Sequence, residues 1–271
     1  MATRVTSTRF VGRDAELAEL RAALAEAETG QPSLAFVAGE SGVGKTRLVT
    51  ELQRAARDDG VRILSGECVD LGEGELPFAP LVGALRPLAR AADPVLESLP
   101  QAAREALRGM LPGLAGAALP HEPADEAATA RSRLFEAVLE LLDRLGADGG
   151  LLLCIEDLHW ADRATRAFVA YLATALCSER VLVVATYRPD ELHRRHPLRP
   201  LLAELERDVR ARRVELRPFT RDELAEQLCD ILGSPPSEEL LDRLWARSEG
   251  NALFAEELLA AGLDGRGGLP P

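Results

Sequence analysis

Residues 39–46 read GESGVGKT, with three glycines ahead of a lysine and a threonine. Glycines let the backbone curl so that successive N–H groups converge, and the helix predicted to follow adds its positive N-terminal end. This arrangement suits a phosphate chain, with Lys45 as a flexible point charge and Thr46 offering a hydroxyl to Mg²⁺. Lys45 is also the only lysine among the 32 lysines and arginines of the chain.

The alternative is a glycine-rich turn with an incidental lysine, but a predicted strand precedes this stretch and a predicted helix follows it. We therefore interpret it as a phosphate-binding loop, or Walker A motif, for ATP or ADP. The residues predicted to hold the phosphates are Gly39, Glu40, Ser41, Gly42, Val43, Gly44, Lys45, Thr46 and Arg47.

Two acids end the apolar run LLLCIED at residues 151–157, which is typical of a strand buried on both faces. Buried carboxylates are costly unless something pairs with them. Beside a phosphate loop, Glu156 is predicted to join Thr46 as a ligand of Mg²⁺, and Asp157 to act as the base for the attacking water. Without that loop, the pair could equally be a solvated acidic turn.

The composition and charge of the chain limit the kinds of partner that it can bind directly. The 271 residues carry a net charge of −12, which argues against nucleic acid or an anionic membrane as a direct partner of this chain. No apolar run reaches the roughly 20 residues of a membrane span, and no signal peptide is visible. Four widely spaced cysteines are expected to be structural thiols, so we expect a cytoplasmic protein.

Alternating strand and helix patterns predict an α/β fold, in which a parallel P-loop NTPase sheet is flanked by helices and followed by a small helical domain. The predicted strands are 33–39, 61–67, 151–156, 180–187 and 212–218. The predicted helices are 14–28 (with Asp14 as N-cap), 44–57, 131–145, 163–177, 198–209, 220–232, 237–248 and 252–261.

The predicted organisation has three parts. Residues 1–218 form the nucleotide-binding domain, with a helical insertion near 70–130 whose Pro-, Gly- and Ala-rich end (112–130) is expected to be a mobile loop. Residues 219–262 form a small helical lid, and 263–271 have the composition of a linker.

The two motifs, together with four further stretches, resemble the ATPase module of large multidomain regulators. These regulators are bacterial transcriptional activators of the LuxR type, related to the maltose activator. They belong to the signal-transduction ATPases with numerous domains (STAND), a branch near the AAA+ proteins. The further stretches are FVGRDAELAEL (10–20), VLVVATYRPDEL (181–192), HPLRPLLAELERD (196–208) and GNALFAEELL (250–259).

This resemblance implies further site residues. The first stretch would lie against the adenine, which makes Val11, Gly12 and Arg13 candidates for nucleotide binding, although Arg13 could also be a solvated arginine. The second would be the sensor strand, with Arg188 directed at the γ-phosphate instead of being an ordinary arginine at a strand end.

Two departures from the family pattern matter. Ala252 stands where the family usually has proline, which weakens the expected contact with the base. The acids come in the order Glu156–Asp157, whereas a fast ATPase more typically has Asp on the metal and Glu for the water. A base displaced by about 1 Å can cost on the order of 100-fold in rate, so we expect slow hydrolysis.

Three residues after the acids are interpreted structurally. His159 is expected to be a satisfied structural histidine instead of a ligand or acid–base group, and Trp160 a packing residue. Asp162 is expected to be a helix N-cap.

Three functions stay open at this point. The first is an ATP-controlled switch in a transcriptional activator, with self-association or intramolecular regulatory domains, and with DNA bound only by a helix-turn-helix domain that is absent from this chain. The second is an AAA+-like ATPase that turns over in an oligomeric ring. The third is a non-catalytic signalling scaffold in which nucleotide is structural.

Overall fold

The structure is a computed structural model that describes residues 6–70, 77–111 and 124–263. In chain order the strands are β1 Ser33–Ala38, β2 Arg62–Glu67, β3 Leu151–Glu156, β4 Val181–Tyr187 and β5 Ala211–Glu215. They form one parallel sheet in the order β2-β3-β4-β1-β5. This confirms the predicted P-loop NTPase architecture.

Helices cover both faces of the sheet, and three more follow it. Those before β3 are α1 Asp14–Glu28, α2 Lys45–Asp58, α3 Ala79–Ala91, α4 Pro94–Ser98, α5 Gln101–Arg108 and α6 Ala124–Gly146. Those after β3 are α7 Arg163–Ala175, α8 Leu198–Leu205, α9 Arg221–Leu232, α10 Glu238–Ser248 and α11 Ala252–Leu263, and a 3-10 turn spans Leu158–Trp160.

The central strands are apolar throughout because both of their faces are covered. In β3, Leu152 and Cys154 pack into the core beneath α1 and α2. Leu151, Leu153 and Ile155 pack into the larger core on the opposite face. Burying one such leucine contributes about 1.5–3 kcal/mol, so the strand ends that carry the candidate site are firmly anchored.

Helices α9 to α11 enclose an apolar cluster of their own, which includes Leu224, Leu228, Leu244 and Leu258. We call this part the helical unit. It contacts the sheet part through hydrogen bonds described below. The division into domains at 218 and 219 stays a prediction.

Several local predictions are corrected. Asp14 is the first helical residue of α1 and Arg13 occupies the N-cap position without a side-chain cap, so Asp14 acts through its charge near the helix dipole. Helix α6 begins at Ala124, inside the segment predicted as a loop, because ADEAATA consists largely of strong helix formers. Asp162 is confirmed as the N-cap of α7, where its side chain accepts from the N–H groups of Ala164 and Thr165.

Two predictions fall wholly or partly outside the described residues. The Pro- and Gly-rich segment 112–123 lies there, and so do residues 264–271 of the predicted linker, while residue 263 ends α11. In the part of the chain that the structure describes, no helix is both long and apolar enough to cross a bilayer.

Candidate functional site

The phosphate loop joins the carboxyl end of β1 to the N-terminus of α2. Gly42 and Gly44 have φ angles of 78° and 106°, which side chains rarely adopt. A Cβ on Gly39 would lie 2.7 Å from Val43 Cγ1, whereas a Cβ on Gly44 would meet nothing within 4 Å. The backbone therefore demands glycine at Gly44, and the space beside it stays open.

Lys45 lies at the start of α2 with only 7% of its surface exposed. Its ammonium donates to the carbonyl oxygens of Gly39 and Glu40, at 2.8 Å each. Burial lowers its pKa most and the nearby Arg188 guanidinium lowers it further, while Asp157 acts in the opposite direction. Two cations thus lie close together in a partly dry site, and an anion placed between them would relieve their repulsion.

The two acids end β3 in different environments. Burial raises the pKa of Glu156, and a hydrogen bond with the Thr46 side chain opposes that rise. Asp157 has φ 54°, a left-handed conformation that is uncommon for a residue other than glycine. Its N–H donates to Thr186 Oγ1 at 2.9 Å. Thr186, at the end of β4, therefore helps to hold Asp157 in this strained position.

Arg188 reaches the site because of the strand register. Ala38 ends β1 and pairs with Tyr187, which ends β4, so the residues that follow the two strands lie side by side. Its Nε atom lies 3.8 Å from Asp157 Oδ1, and an Nη atom lies 2.6 Å from Glu191 Oε1. The structure therefore places Arg188 near both Asp157 and Lys45. The direction of Arg188 toward a γ-phosphate stays a prediction.

Arg13 is buried, with 2% exposure, which excludes a solvated arginine. Its guanidinium donates to the carbonyl oxygens of Val43, at 3.4 Å, and of Arg217, and lies over the Phe219 ring. Burial lowers its pKa most, against the opposing charge of Glu16. Arg13 therefore connects the phosphate loop to the chain that leads into the helical unit.

The neighbouring candidates take other positions. Val11 is buried, and a Cβ on Gly12 would lie 2.7 Å from the Glu223 side chain. Arg47 donates to the Thr8 carbonyl at 2.7 Å and so faces the N-terminal segment. Whether Val11, Gly12, Arg13 and Arg47 touch a nucleotide stays a prediction.

The helical unit contacts the phosphate loop directly. The Asn251 side-chain amide donates to the Ser41 carbonyl at 2.7 Å, and the Leu253 N–H donates to the Gly42 carbonyl at 3.1 Å. A Cβ on Gly42 would lie 2.5 Å from Asn251 Oδ1, so this close approach requires glycine.

Sequence reasoning does not reveal two features here. His159 is buried as expected, but within the described residues neither of its ring nitrogens has a hydrogen bond of good geometry. Glu191 pairs with Arg188, and only the spacing of three residues in RPDE hints at that pair.

The side chains at this site carry the chemical groups that bind a nucleoside triphosphate and Mg²⁺. Buried Lys45 and the nearby Arg188 supply positive charge beside the open backbone at Gly44. The Thr46 hydroxyl and the Glu156 carboxylate supply the oxygen ligands that Mg²⁺ prefers. Among the described residues no cluster of three or more His, Cys, Asp or Glu side chains could hold a metal alone. A magnesium ion here would thus need phosphate oxygens and waters as additional ligands, which is its usual habit.

Residues 9–184 match the family model described as "AAA ATPase domain". An uncharacterized protein of Rhizobium meliloti (strain 1021) is 26% identical over 245 residues, which are 84% of this chain and 22% of that protein. The chain thus spans about a fifth of this relative. Arg188 and Asn251 lie beyond the residues that the family model matches.

Two solved structures resemble the fold. Cdc6p from Pyrobaculum aerophilum gives a TM-score of 0.57 at 18% identity, over 97% of this chain and 65% of that one. AMPPCP-bound DnaA from Aquifex aeolicus gives a TM-score of 0.51 at 15% identity, over 98% of this chain and 67% of that one. At such identities the likeness establishes the fold alone.

Proposed function

The chain belongs to the AAA ATPase domain family, and we propose that it binds ATP with Mg²⁺ and hydrolyses the ATP slowly, as a nucleotide-controlled switch. The observation that carries this proposal is the contact of α11 with the phosphate loop. Asn251 and Leu253 donate to carbonyls of the same loop whose N–H groups would bind phosphate. A loop that rearranges around a phosphate chain therefore changes how the helical unit fits against it.

Each residue has a defined role in this proposal. The loop N–H groups and Lys45 bind the phosphates, and Arg188 donates to the γ-phosphate. Thr46 and Glu156 hold Mg²⁺, which supplies positive charge against the phosphate oxygens. Asp157 orients the attacking water and accepts its proton, held by Thr186 in the conformation described above.

The switch is proposed to be slow because of the order of the acids. Glu156 at the metal position is one methylene longer than aspartate, and Asp157 at the water position is one methylene shorter than glutamate. A long-lived ATP-bound state suits a protein that assembles or recruits partners while nucleotide is bound.

The wider role is proposed from the resemblance to LuxR-type STAND regulators. In that role the module sits in a bacterial multidomain transcriptional activator whose DNA contacts come from a helix-turn-helix domain outside this chain. The Rhizobium relative, of which this chain spans about a fifth, supports the idea that such a module occurs within a much longer protein.

Family membership fits a second function equally well, that of an AAA+ ATPase turning over in an oligomeric ring. In a ring, an arginine of a neighbouring copy would complete the site, and turnover would rise with protein concentration. A switch would instead hold ATP in a stable state and turn over well below about 1 s⁻¹, the low end for typical enzymes.

The test combines binding and turnover. Calorimetric titration with a non-hydrolysable ATP analogue is expected to show binding to the wild type and none, or very weak binding, to Lys45→Ala. Unchanged affinity in the variant would refute the phosphate site. Turnover and light scattering at several protein concentrations then separate the two functions, since only a ring couples assembly to a faster rate.

A further inference from the structure

Glu191 follows β4 and meets three side chains of the candidate site. One of its carboxylate oxygens lies 2.6 Å from an Nη atom of Arg188, and the other lies 3.3 Å from His159 Nε2. Burial alone would raise the pKa of Glu191, but the hydrogen bond from Arg188, the neighbouring charges and a hydrogen bond with the Trp160 side chain lower it overall. Glu191 is therefore an exposed residue whose carboxylate is nevertheless paired on both oxygens with side chains of the candidate site.

His159 and Trp160 follow the acids after Leu158, in the 3-10 turn Leu158–Trp160. The His159 side chain is only 1% exposed and its ring lies 4.7 Å from that of Trp160. Its Nδ1 atom lies 3.9 Å from Asp157 and its Nε2 faces Glu191. Buried polar nitrogens usually have hydrogen-bond partners. In His159 each ring nitrogen instead faces a carboxylate, that of Asp157 or of Glu191, without the geometry of a good hydrogen bond.

The same group of residues fixes Arg188. Its guanidinium lies over the Trp160 ring, 5.1 Å from the ring centroid, and is ion-paired to Glu191. In this position Arg188 is already close enough to Lys45 to be the main neighbouring charge that lowers the pKa of that lysine. The pair with Glu191 is therefore compatible with a position of Arg188 beside the phosphate loop.

We propose that Glu191, which lies beside His159 and Trp160, is a positioning residue that orients Arg188 toward the terminal phosphate and thereby sets the preference for ATP over ADP. This inference rests on the proposed function. It also explains the residues after the acids, because Trp160 supports the guanidinium from its face while Glu191 binds one edge. The Nε atom lies 3.8 Å from Asp157 Oδ1, so the second Nη atom is the donor that we assign to the terminal phosphate.

The opposite possibility is that Glu191 competes with the phosphate for Arg188. The two cases predict opposite changes in ATP affinity. Removing an anchor weakens ATP binding, whereas removing a competitor strengthens it.

The experiment measures the affinities of ATP and ADP, with a non-hydrolysable analogue in place of ATP, for five proteins. These are the wild type, Glu191→Ala, Glu191→Gln, Arg188→Ala and the double variant Arg188→Ala with Glu191→Ala. The matched control is Glu206→Gln, because Glu206 is also an exposed acid paired with an arginine, Arg213 at 3.0 Å, but that arginine belongs to β5 and is not a candidate site residue.

Arg188→Ala is expected to weaken ATP binding about 10- to 100-fold, since a charge-assisted hydrogen bond is lost, and to leave ADP binding nearly unchanged. Glu191→Ala is expected to reduce the ATP preference about 3- to 10-fold through the same contact. Glu191→Gln, which keeps a hydrogen-bond acceptor, should recover part of that loss. In the double variant, Glu191→Ala should add nothing, because its effect passes through Arg188.

Tighter ATP binding by Glu191→Ala, or an equal loss for ATP and ADP, would overturn the inference. An additive effect in the double variant would also overturn it. These failures leave the proposed function intact as long as the wild type binds ATP through Lys45. Loss of all nucleotide binding by the wild type would instead remove both.

Discussion

The side-chain amide of Asn251 donates a hydrogen bond to the backbone carbonyl of Ser41 at 2.7 Å, across 210 residues of sequence. Its carbonyl oxygen accepts from the N–H of Phe254 at 3.1 Å, which makes the same side chain the N-cap of α11. One residue therefore begins a helix of the helical unit and fastens that helix to the phosphate loop.

Asn251→Ala is expected to lower the free energy of unfolding by about 1 kcal/mol through loss of the cap. It should also increase hydrogen exchange in the phosphate loop and alter nucleotide affinity. The matched control is Ser237→Ala, which removes the N-cap of α10, where the Ser237 side chain accepts from Leu240. If both variants change nucleotide affinity to the same degree, the contact with Ser41 does not couple the two parts.

Thr46→Ala and Glu156→Gln should each weaken nucleotide binding more in the presence of Mg²⁺ than in EDTA. The hydroxyl and the carboxylate are hydrogen-bonded together and are the oxygen ligands proposed for the metal. Titrations with and without Mg²⁺ give this comparison. Equal losses under the two conditions would mean that neither side chain contributes to metal binding.

The double swap Glu156→Asp with Asp157→Glu should raise the hydrolysis rate, because it puts the shorter acid at the metal and the longer one at the water. The net charge is unchanged, so affinity should change little. Single-turnover measurements at saturating ATP and Mg²⁺ separate chemistry from binding and product release. A flat or lower rate, with folding and affinity intact, would place the slow step in domain closure or in a residue from another chain.

Stability is expected to depend on pH through Glu223, whose carboxylate pairs with Arg217 at 2.7 Å and accepts from the Thr220 N–H in a capping box. The hydrogen bond from Arg217 lowers the pKa of Glu223 most, from the ordinary 4.5 to about 2. A lowered acid pKa stabilises the fold above about pH 4.5, and this stabilisation is lost as the pH falls toward 2.

Glu223→Gln should therefore lower the free energy of unfolding by about 1 kcal/mol at pH 7 and by progressively less below pH 4.5. Denaturant titrations at pH 7, 4 and 3 give the difference. Glu238→Gln serves as the control, because the Glu238 side chain is 81% exposed in its pair with Arg221. A difference between wild type and Glu223→Gln that stays constant with pH would exclude Glu223 as the source.

Much of the fold can be predicted from the sequence because buried parallel strands are uniformly apolar. For β1, β3 and β4 the predicted and observed strands agree to within one residue at each end. The edge strand β5 begins one residue earlier and ends three residues earlier than predicted, since its partly exposed residues lack that continuous apolar signal. The start of α6 escapes prediction because the Pro- and Gly-rich residues before it outweigh the helix propensity of the alanines.

The candidate site, like the fold, can be predicted from the sequence only in part. The phosphate loop and the acid pair are contiguous motifs, and the parallel topology brings their strand ends to one edge of the sheet. Neither the pairing of His159 with Glu191 nor that of Ser41 with Asn251 can be derived from sequence, because both depend on how separate loops pack. The contacts of Arg13 with the Val43 and Arg217 carbonyls likewise cannot be derived from its motif, and the predicted contact of Arg13 with a nucleotide stays a prediction.

The strand order has a consequence for ligand size. Because β4 lies between β1 and β3, the phosphate loop and the acids are two strand spacings apart, roughly 10 Å at about 4.8 Å each. Side chains close this gap on one side, because Thr46 at the end of the loop is hydrogen-bonded to Glu156. Under the proposed function, the metal ion bound by Thr46 and Glu156 would therefore lie between the loop and the acids. Only a terminal phosphate that extends beyond that ion could approach Asp157, so the spacing of the strands would make the second acid sensitive to the length of the phosphate chain.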